Sequence, residues 1–299
     1  MKTTAQLPLV TIAIPLYNEG KHVEKALSSI SNQDFSNLEI LISDNNSTDE
    51  TSAICRRFAE RDPRIRYHCH AENMGVIANH NYLTRIARGK YFMFAGGHDK
   101  WSSNLVSECV HVLEHHPKAV VATGTPFWID EDDKPLGKFT GWYDTRGLNP
   151  VSRFFTVFWG NPNPILGVFR REEMPDLRQY TYAGADLVIL ALLALKGETA
   201  IAPNAMFYRR QNRVPESHNA RMRRYKSKES KIADTFFFKL FPLAKLPFEL
   251  LRIVIQSEVS LLEKLSIFTI LLPALPVRYI IGRMDNNANS VKSEPSSST

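Results

Sequence analysis

Three carboxylates and one imidazole follow predicted strands and could bind a phosphorylated ligand. Glu19 comes after the first apolar run, Asp44 after the second, and His98 with Asp99 after the fourth. Because ligands of open α/β sheets lie outside the carboxyl ends of the strands, we expect these side chains to line one crevice. Asp44 could accept a hydrogen bond from a base imide, and Asp99 could meet a cation that neutralises a diphosphate. The alternative for Asp99 is a structural role in a strand-to-helix turn.

A second group of polar side chains lies further along the chain. Residues 141–164 are rich in Trp, Phe, Gly, Asn and Pro, which favours a loop shaped to a ligand over a regular element. Trp142, Trp159 and Asn161 in this segment could stack on and hydrogen-bond a sugar ring, with core packing as the alternative for the tryptophans. Asp186 then stands in the first turn of a predicted buried helix.

Missing motifs disfavour several functional classes. The loop from Pro15 to Glu19 has no GxGxxG pattern, so a dinucleotide oxidoreductase is disfavoured. Cys55, Cys69 and Cys109 form no CxxC pair, which argues against a zinc site or a disulfide framework and favours a reducing cytosol. The first nine residues lack the apolar core of a signal peptide, so we expect the chain to remain inside the cell.

Composition indicates a globular chain with one basic segment. The chain has 299 residues, of which 43% are apolar and 23% charged, enough for one large domain or two small ones. Between Phe207 and Lys231 nine Lys or Arg face two Glu, a surplus of +7, so the rest of the chain is close to neutral although the net charge is +6. No nucleic-acid-binding motif accompanies this segment, so we expect no nucleic-acid partner. An anionic membrane surface fits it, because an apolar region follows.

Hydrophobic periodicity predicts an α/β fold. Strands alternate with helices over the first hundred residues, which predicts a doubly wound, mainly parallel, Rossmann-like sheet. A fifth strand extends the sheet, and Asp130 to Lys134 form a solvated hairpin turn. The predicted strands are residues 10–14, 38–43, 64–68, 91–95 and 119–123.

The C-terminal third has a different character. Residues 213–284 combine the basic segment with apolar stretches, and their longest uncharged run has 13 residues, from Leu265 to Val277. About 20 apolar residues are needed to span a bilayer, so a transmembrane helix is disfavoured. We expect helices that lie in a membrane interface; the alternative is a buried helical subdomain or a homo-oligomer surface. Residues 285–299 are polar, and we expect them to be disordered.

Five pieces of sequence resemble family 2 glycosyltransferases, which have the GT-A fold. The resemblance implies a nucleotide-sugar-binding half at residues 1–125 and an acceptor-binding and catalytic-base half at 126–212. The matching pieces, in chain order, are Ile12 to Glu19, Asp44 to Asp49, Asn73-Met74-Gly75 with Asn79, Gly97-His98-Asp99-Lys100-Trp101, and Gly184-Ala185-Asp186.

The resemblance also implies roles for single residues. His98 and Asp99 would meet the metal and the diphosphate, and Asp186 would be the catalytic base, with helix capping as the alternative. Arg209 and Arg210 would close over the donor phosphates, unless this stretch is solvated or faces a membrane. The nucleoside would be held by Pro15, Tyr17, Glu19, Asp44, Asn73 and Gly75.

The chain departs from the family at one motif. Where the family commonly has Asp-x-Asp-Asp, this chain has Gly96-Gly97-His98-Asp99, so two carboxylates are missing. Glu19 and Asp49 are candidate substitutes. Because imidazole suits transition ions better than Mg²⁺, we predict a divalent-metal cofactor with Mn²⁺ favoured over Mg²⁺.

The resemblance implies an inverting transfer of a sugar from a nucleoside diphosphate donor, with UDP expected, to an acceptor hydroxyl. We expect a glycan or lipid-linked acceptor and a peripheral location on the cytoplasmic face of the cell membrane. The alternatives are a catalytically degenerate protein that binds nucleotide sugar, suggested by Gly96, and an interaction protein that docks on a membrane. The sugar and the acceptor are not encoded in a short motif.

Overall fold

A computed structural model describes residues 9–137, 144–180, 182, 184–211 and 245–291. Trp142 lies outside the described residues, as does the basic segment from 212 to 231. The strands are β1 Val10–Leu16, β2 Leu38–Asp44, β3 Ile65–Cys69, β4 Tyr91–Phe94, β5 Lys100–Trp101, β6 Ala119–Ile129, β7 Val168–Arg170 and β8 Glu198–Arg210. The α-helices are α1 Val23–Ser31, α2 Thr51–Arg61, α3 Val76–Ile86, α4 Leu105–His115, α5 Pro150–Trp159, α6 Ala185–Lys196, α7 Lys245–Gln256 and α8 Leu261–Val291.

The described strands form one eight-stranded mixed sheet in the order β3-β2-β1-β4-β7-β6-β8-β5. The first four strands are parallel, as predicted, and their carboxyl ends share one edge. In the other half, β6 and β8 are parallel to each other and run in the same direction as β1 to β4, so the prediction of a mainly parallel sheet fails only for β7 and β5. β7 inserts antiparallel between β4 and β6, and β5 pairs antiparallel with β8. A three-residue apolar strand such as β7 carries too little pattern to reveal its direction.

Helices cover both faces of the parallel half, because its strands are apolar on both faces. In β1, Ile12 and Ile14 contribute to the core that contains the buried residues of α1, α2 and α4. Ala13, between them, belongs to a second core with Leu83 of α3 and Phe92 of β4. Alternate side chains of the strand therefore pack against helices on opposite faces of the sheet. This packing fixes the positions of the loops after β1, β2 and β4.

Helix α5 corrects the prediction of a loop over 141–164. The side chain of Asn149 accepts a hydrogen bond from the backbone N–H of Ser152, and Pro150 occupies the first turn. Phe154, Val157 and Phe158 are buried at helical spacing. A polar N-cap followed by proline is a helix-start signal, so this element was readable from the sequence.

The C-terminal helices have a buried side and an exposed side. Leu250 of α7 and Leu271 of α8 join the core around α5 and α6. Other apolar side chains of both helices are exposed, among them Phe248 at 73% and Leu262 at 75%. No helix in the described part of the chain is long and apolar enough to cross a membrane. Backbone helix continues into the segment predicted to be disordered, as far as Val291, because each added residue gains a hydrogen bond once a helix exists.

Candidate functional site

The loops after β1 and β2 are tied together at the carboxyl edge of the sheet. The backbone N–H of Glu19 donates to Thr51 Oγ1 at 2.8 Å, and that of Gly20 donates to Asp49 Oδ2 at 2.9 Å. Asn18, with a positive φ of 54°, accepts from the backbone N–H of Thr48. These bonds fix the backbone beside Tyr17, whose side chain is 46% exposed and lies on the solvent side of the loop.

Asp44, the last residue of β2, is fully buried and organises the loop that follows. One carboxylate oxygen accepts from the backbone N–H and the hydroxyl of Ser47, at 2.9 and 2.6 Å. The other accepts from Tyr67 at 2.9 Å and from the hydroxyl of Ser52. A carboxylate has about four acceptor positions, and all are used here. A base imide could therefore reach Asp44 only by displacing one of these donors.

Asparagines connect α3 to the ends of β1 and β2. The side chain of Asn73 accepts from Asn45 Nδ2 at 2.8 Å and from the backbone N–H of Gly75 at 2.9 Å. Asn79, which is 3% exposed, accepts from the Ser43 hydroxyl and donates to the Ser43 carbonyl at 3.0 Å. The predicted nucleotide-binding positions thus lie together at neighbouring strand ends.

His98 and Glu19 are in direct contact across β1 and β4. Nδ1 of His98 lies 3.1 Å from Oε1 of Glu19, and both side chains are partly exposed, at 35% and 25%. Burial lowers the pKa of His98, but the hydrogen bond that its ring donates to Glu19 and the charges of Asp99 and Glu19 outweigh this effect, so the pKa is raised above 6.5. This pair is a partly exposed polar contact between the loop after β1 and the loop after β4.

Asp99 faces inward and is 2% exposed. Its Oδ1 accepts from the backbone N–H of Arg210 at 2.8 Å, and it lies 4.0 Å from Nε2 of His98. Burial raises the pKa of Asp99, opposed by the positive charges of its neighbours. Asp99 thus holds the loop after β4 against the end of β8. This is a structural role, the alternative to cation binding.

The two glycines before His98 allow this close packing. A Cβ on Gly97 would lie 2.4 Å from Cδ2 of Leu16, and a Cβ on Gly96 would lie 2.9 Å from Oδ2 of Asp99. Any side chain at position 96 would therefore crowd the inward carboxylate. The absence of a side chain at Gly96 therefore leaves the space that the buried Asp99 carboxylate occupies.

The two arginines at the end of β8 have different surroundings. The Arg210 side chain is buried and donates to the carbonyls of His98, Asp130 and Glu131 and to the carboxylate of Asp133. This geometry favours a structural role over the predicted phosphate contact. Arg209 is partly exposed, stacks over Trp128 at 4.9 Å and acts electrostatically on His98 and Asp99. Arg209 is thus the better placed of the two to approach a phosphate.

Asp186 lines a cavity at the N-terminus of α6. Its Oδ1 accepts from the backbone N–H of Leu187 at 3.0 Å, and its side chain is only partly buried. The cavity has a volume of about 280 Å³ and is also lined by residues of α3 and by Phe94. Phe94 is the last residue of β4, and the loop that carries His98 follows it. The cavity therefore extends from Asp186 to the end of β4.

Trp159 and Asn161, two of the predicted sugar-binding residues, do not line this cavity. Trp159, at the end of α5, is 46% exposed and packs edge-on against Phe158. The side chain of Asn161 accepts a hydrogen bond from the backbone N–H of Asn163. The side chain of Asn163 in turn accepts one from the guanidinium of Arg209. Sequence reasoning missed the residues that line the cavity, including Ile77 and Leu177, because isolated apolar residues on separate elements give no motif.

The residues at this edge suit a cation that a ligand helps to hold. No cluster of three or more His, Cys, Asp or Glu able to enclose a metal ion exists among the described residues. Mg²⁺ and related ions at phosphate sites commonly use one or two protein ligands together with the substrate phosphates. His98 and Glu19, adjacent and partly exposed, could supply such ligands, whereas Asp99 is buried and Asp49 is bonded to Gly20 and Thr51.

Comparison with known proteins identifies the family. Residues 11–158 match the family described as Glycosyl transferase family 2. The putative teichuronic acid biosynthesis glycosyltransferase TuaG of Bacillus subtilis (strain 168) is 30% identical over 202 residues, which is 66% of this chain and 76% of the relative. The chain therefore belongs to glycosyl transferase family 2 and carries a glycosyltransferase domain. The matches to two other curated relatives cover 42% and 43% of this chain, and they span 41% and 36% of the relatives' own lengths.

Solved structures support the fold. S. aureus TarS residues 1–349, in complex with UDP-GlcNAc, matches with a TM-score of 0.63 and 14% identity over 88% of this chain and 71% of that chain. The mannosyltransferase PcManGT from Pyrobaculum calidifontis, in complex with GDP-Man and Mn²⁺, matches with a TM-score of 0.53 and 20% identity over 96% of this chain and 87% of that chain. The mixed α/β sheet thus resembles GT-A glycosyltransferases, as the sequence implied.

Proposed function

We propose that the chain is an inverting glycosyltransferase that moves a sugar from a nucleoside diphosphate donor, with UDP expected, to an acceptor hydroxyl. The product would belong to a cell-surface polysaccharide or a lipid-linked glycan. TuaG is named for teichuronic acid biosynthesis, and the TarS structure contains UDP-GlcNAc, which supports this class of donor and product.

The observation that carries the proposal is the position of Asp186. This carboxylate lines a cavity that reaches the end of β4, while the loop after β4 brings His98 to Glu19. A donor diphosphate at the Glu19–His98 pair and an acceptor in the cavity would meet between them. The proposal thus has a donor side and an acceptor side, with one carboxylate on the latter.

The chain's own residues then have distinct tasks. Asp186 accepts the proton of the acceptor hydroxyl as its oxygen attacks the anomeric carbon on the face opposite the departing diphosphate. Arg209 adds positive charge near the donor phosphates. A bound divalent cation, held by His98 and Glu19 with the diphosphate, would neutralise charge on the leaving group. Imidazole ligation supports the preference for Mn²⁺, and PcManGT was solved with that ion.

The decisive experiment replaces Asp186 by Asn. Loss of the base should reduce sugar-nucleotide consumption by about 10²- to 10⁴-fold. Binding of the nucleotide, measured by thermal shift, should be unchanged, because Asp186 lies on the acceptor side. Asp34→Asn, at an exposed aspartate, is the matched control. Equal activity of Asp186→Asn and the control would reject the proposal, and nucleotide binding without turnover in the unmodified chain would favour the degenerate alternative.

We also propose that α7 and α8 place the enzyme peripherally on the cytoplasmic face of a membrane. Eight of the fifteen exposed large apolar side chains among the described residues belong to these two helices. Such a concentration on one part of a surface marks an interaction site. The basic composition of 207–231 suits an anionic lipid surface. The competing occupant is a second copy of the chain.

A further inference from the structure

The cavity beside Asp186 is lined mainly by apolar side chains, which is unusual for a site that would receive a glycan. Val76 and Ile77 of α3, Phe94 of β4, Phe169 of β7 and Leu177 contribute apolar side chains to it. Phe169 is 1% exposed and Phe94 is 7% exposed, so these walls belong to the packed interior. Val76, at 36% exposure, is the most accessible of the five.

The polar side chains of the lining are few, namely His80, Asn81, Tyr180, Tyr182 and Asp186. Nδ1 of His80 bonds to the Val76 carbonyl at 2.7 Å, and burial lowers the pKa of this imidazole, which favours its neutral form. The hydroxyl of Tyr180 interacts with Arg252 of α7. Tyr182 lies near Glu249 of the same helix, but its buried hydroxyl forms no hydrogen bond and is the one such group that the cavity leaves unsatisfied among the described residues. Asp186 is thus the charged group that the cavity offers to a ligand.

A bare sugar ring does not suit these walls. Each sugar hydroxyl buried without a hydrogen-bond partner would cost roughly tenfold in affinity. An alkyl chain or an aromatic ring gains affinity from the same surface, because its burial removes apolar area from water. The volume of about 280 Å³ corresponds to the liquid volume of roughly nine water molecules, so it holds a short chain or one ring and not a long lipid tail.

We propose that the cavity is an acceptor subsite for a short alkyl or aromatic group carried next to the hydroxyl that is glycosylated. This inference rests on the proposed glycosyltransferase function and narrows its acceptor class to an alcohol with an apolar group. The hydroxyl lies at Asp186 and the apolar group enters between α3 and α6. The acceptor oxygen bonds to the anomeric carbon as the bond from that carbon to the diphosphate oxygen breaks. The hydroxyl proton passes to Asp186, and the nucleoside diphosphate leaves.

The test measures binding of benzyl alcohol to the full chain by ligand-observed NMR, with methyl β-glucoside as the polar probe. Filling the cavity with Leu177→Trp should weaken benzyl alcohol binding at least about tenfold. Leu148→Trp, at a 39% exposed leucine that does not line the cavity, should change it less than about twofold. UDP binding, measured on the same samples, should be unchanged in both variants.

Two further variants keep the test decisive if Leu177→Trp fails to fold. Val76→Trp alters an already exposed side chain, so it narrows the cavity without disturbing the core, and it should also weaken binding. Leu177→Ala enlarges the cavity and should shift the preference from benzyl alcohol toward the larger 3-phenylpropanol. Equal weakening by Leu148→Trp, no effect of Val76→Trp, or stronger binding of methyl β-glucoside than of benzyl alcohol would overturn the subsite.

Failure of the subsite and failure of the enzymatic function give different results. If the function is wrong, no sugar nucleotide is consumed with any acceptor, although benzyl alcohol still binds and Leu177→Trp still weakens it. If the subsite is wrong, sugar nucleotide is consumed, but Leu177→Trp and Leu148→Trp transfer sugar to benzyl alcohol at equal rates. Mass spectrometry detects formation of the benzyl glycoside. If the unmodified chain forms it and Leu177→Trp, but not Leu148→Trp, forms less of it, both the enzymatic function and the subsite are supported.

Discussion

At the scale of single residues, the contact between Glu19 and His98 should control the pKa of His98, which can be measured by titration. Glu19→Gln removes the negative charge and weakens the hydrogen bond that raise the pKa of His98. The imidazole signal in an NMR titration should then move to lower pH than in the unmodified chain. Glu24→Gln, at an exposed glutamate paired with Arg57, is the control and should leave the His98 titration unchanged.

The same pair predicts a pH dependence of stability. A histidine whose folded pKa is raised contributes stability that is complete below its unfolded value of 6.5 and is lost as pH rises through the folded pKa. The stability difference between the unmodified chain and Glu19→Gln should therefore be largest in mild acid. It should shrink above the folded pKa of His98. A difference that grows with pH in chemical denaturation would contradict this assignment.

At the scale of elements, an ionic cluster holds the hairpin turn after β6. Asp133 pairs with Lys25 of α1 at 2.8 Å, with Lys100 of β5 at 3.3 Å and with Arg210 of β8. The turn was predicted to be solvated, but its carboxylate joins three elements. Arg210 also donates a hydrogen bond to the His98 carbonyl. Through Arg210, this turn therefore stabilises the loop that carries His98.

Replacing Asp133 by Asn should destabilise the fold in a pH-dependent way. Burial opposes ionisation of Asp133, but its bonds to Lys25, Arg210 and Lys100 outweigh it, so its folded pKa lies below 3.8. A lowered pKa gives stability that is present above 3.8 and is lost as pH falls through the folded value.

We expect a loss of about 2 kcal/mol in the free energy of unfolding at neutral pH, from weakened bonds between charged groups. The loss should shrink below about pH 4. Urea denaturation at several pH values checks both points. Asp132→Asn, at an exposed neighbour in the same turn, should change stability little. A constant loss at all pH values would show that ionisation of Asp133 does not matter.

The sequence predicted the half of the fold whose elements are long and periodic. β1 to β4 and their helices alternate clearly, so the common edge of Glu19, Asp44 and His98 followed from topology alone. The position of β7 did not follow, because its pairing with β4 depends on contacts distant in sequence. The burial of Asp99 could not be predicted either, since it depends on the backbone N–H of Arg210, more than a hundred residues away.

At the scale of the whole molecule, the exposed apolar side of α7 and α8 predicts membrane binding. Changing Leu261 and Leu262 to Asp together removes two side chains that are 73% and 75% exposed. Each leucine contributes up to about 2 kcal/mol when buried in lipid, so cosedimentation with phosphatidylglycerol vesicles should fall more than about tenfold. The fold, monitored by circular dichroism, should be retained because both side chains face solvent.

The control for that experiment changes exposed apolar residues elsewhere. Leu148→Asp with Met206→Asp alters side chains that are 39% and 37% exposed on other elements and should leave vesicle binding intact. If the unmodified chain forms a dimer in sedimentation that the Leu261 and Leu262 changes dissociate, and does not bind vesicles, then a second copy covers this surface and the membrane proposal is wrong.

The crowding between Gly96 and Asp99 also limits how such a sequence can change. A Cβ at position 96 would lie 2.9 Å from an Asp99 carboxylate oxygen whose partner oxygen is bonded to Arg210. Introducing the family's aspartate at 96 alone would push Asp99 away from β8 before any new function is gained. The two positions are therefore epistatic. A mutational path to the acidic motif must first give the Asp99 carboxylate another position, for example by a change at the end of β8, so the order of substitutions matters.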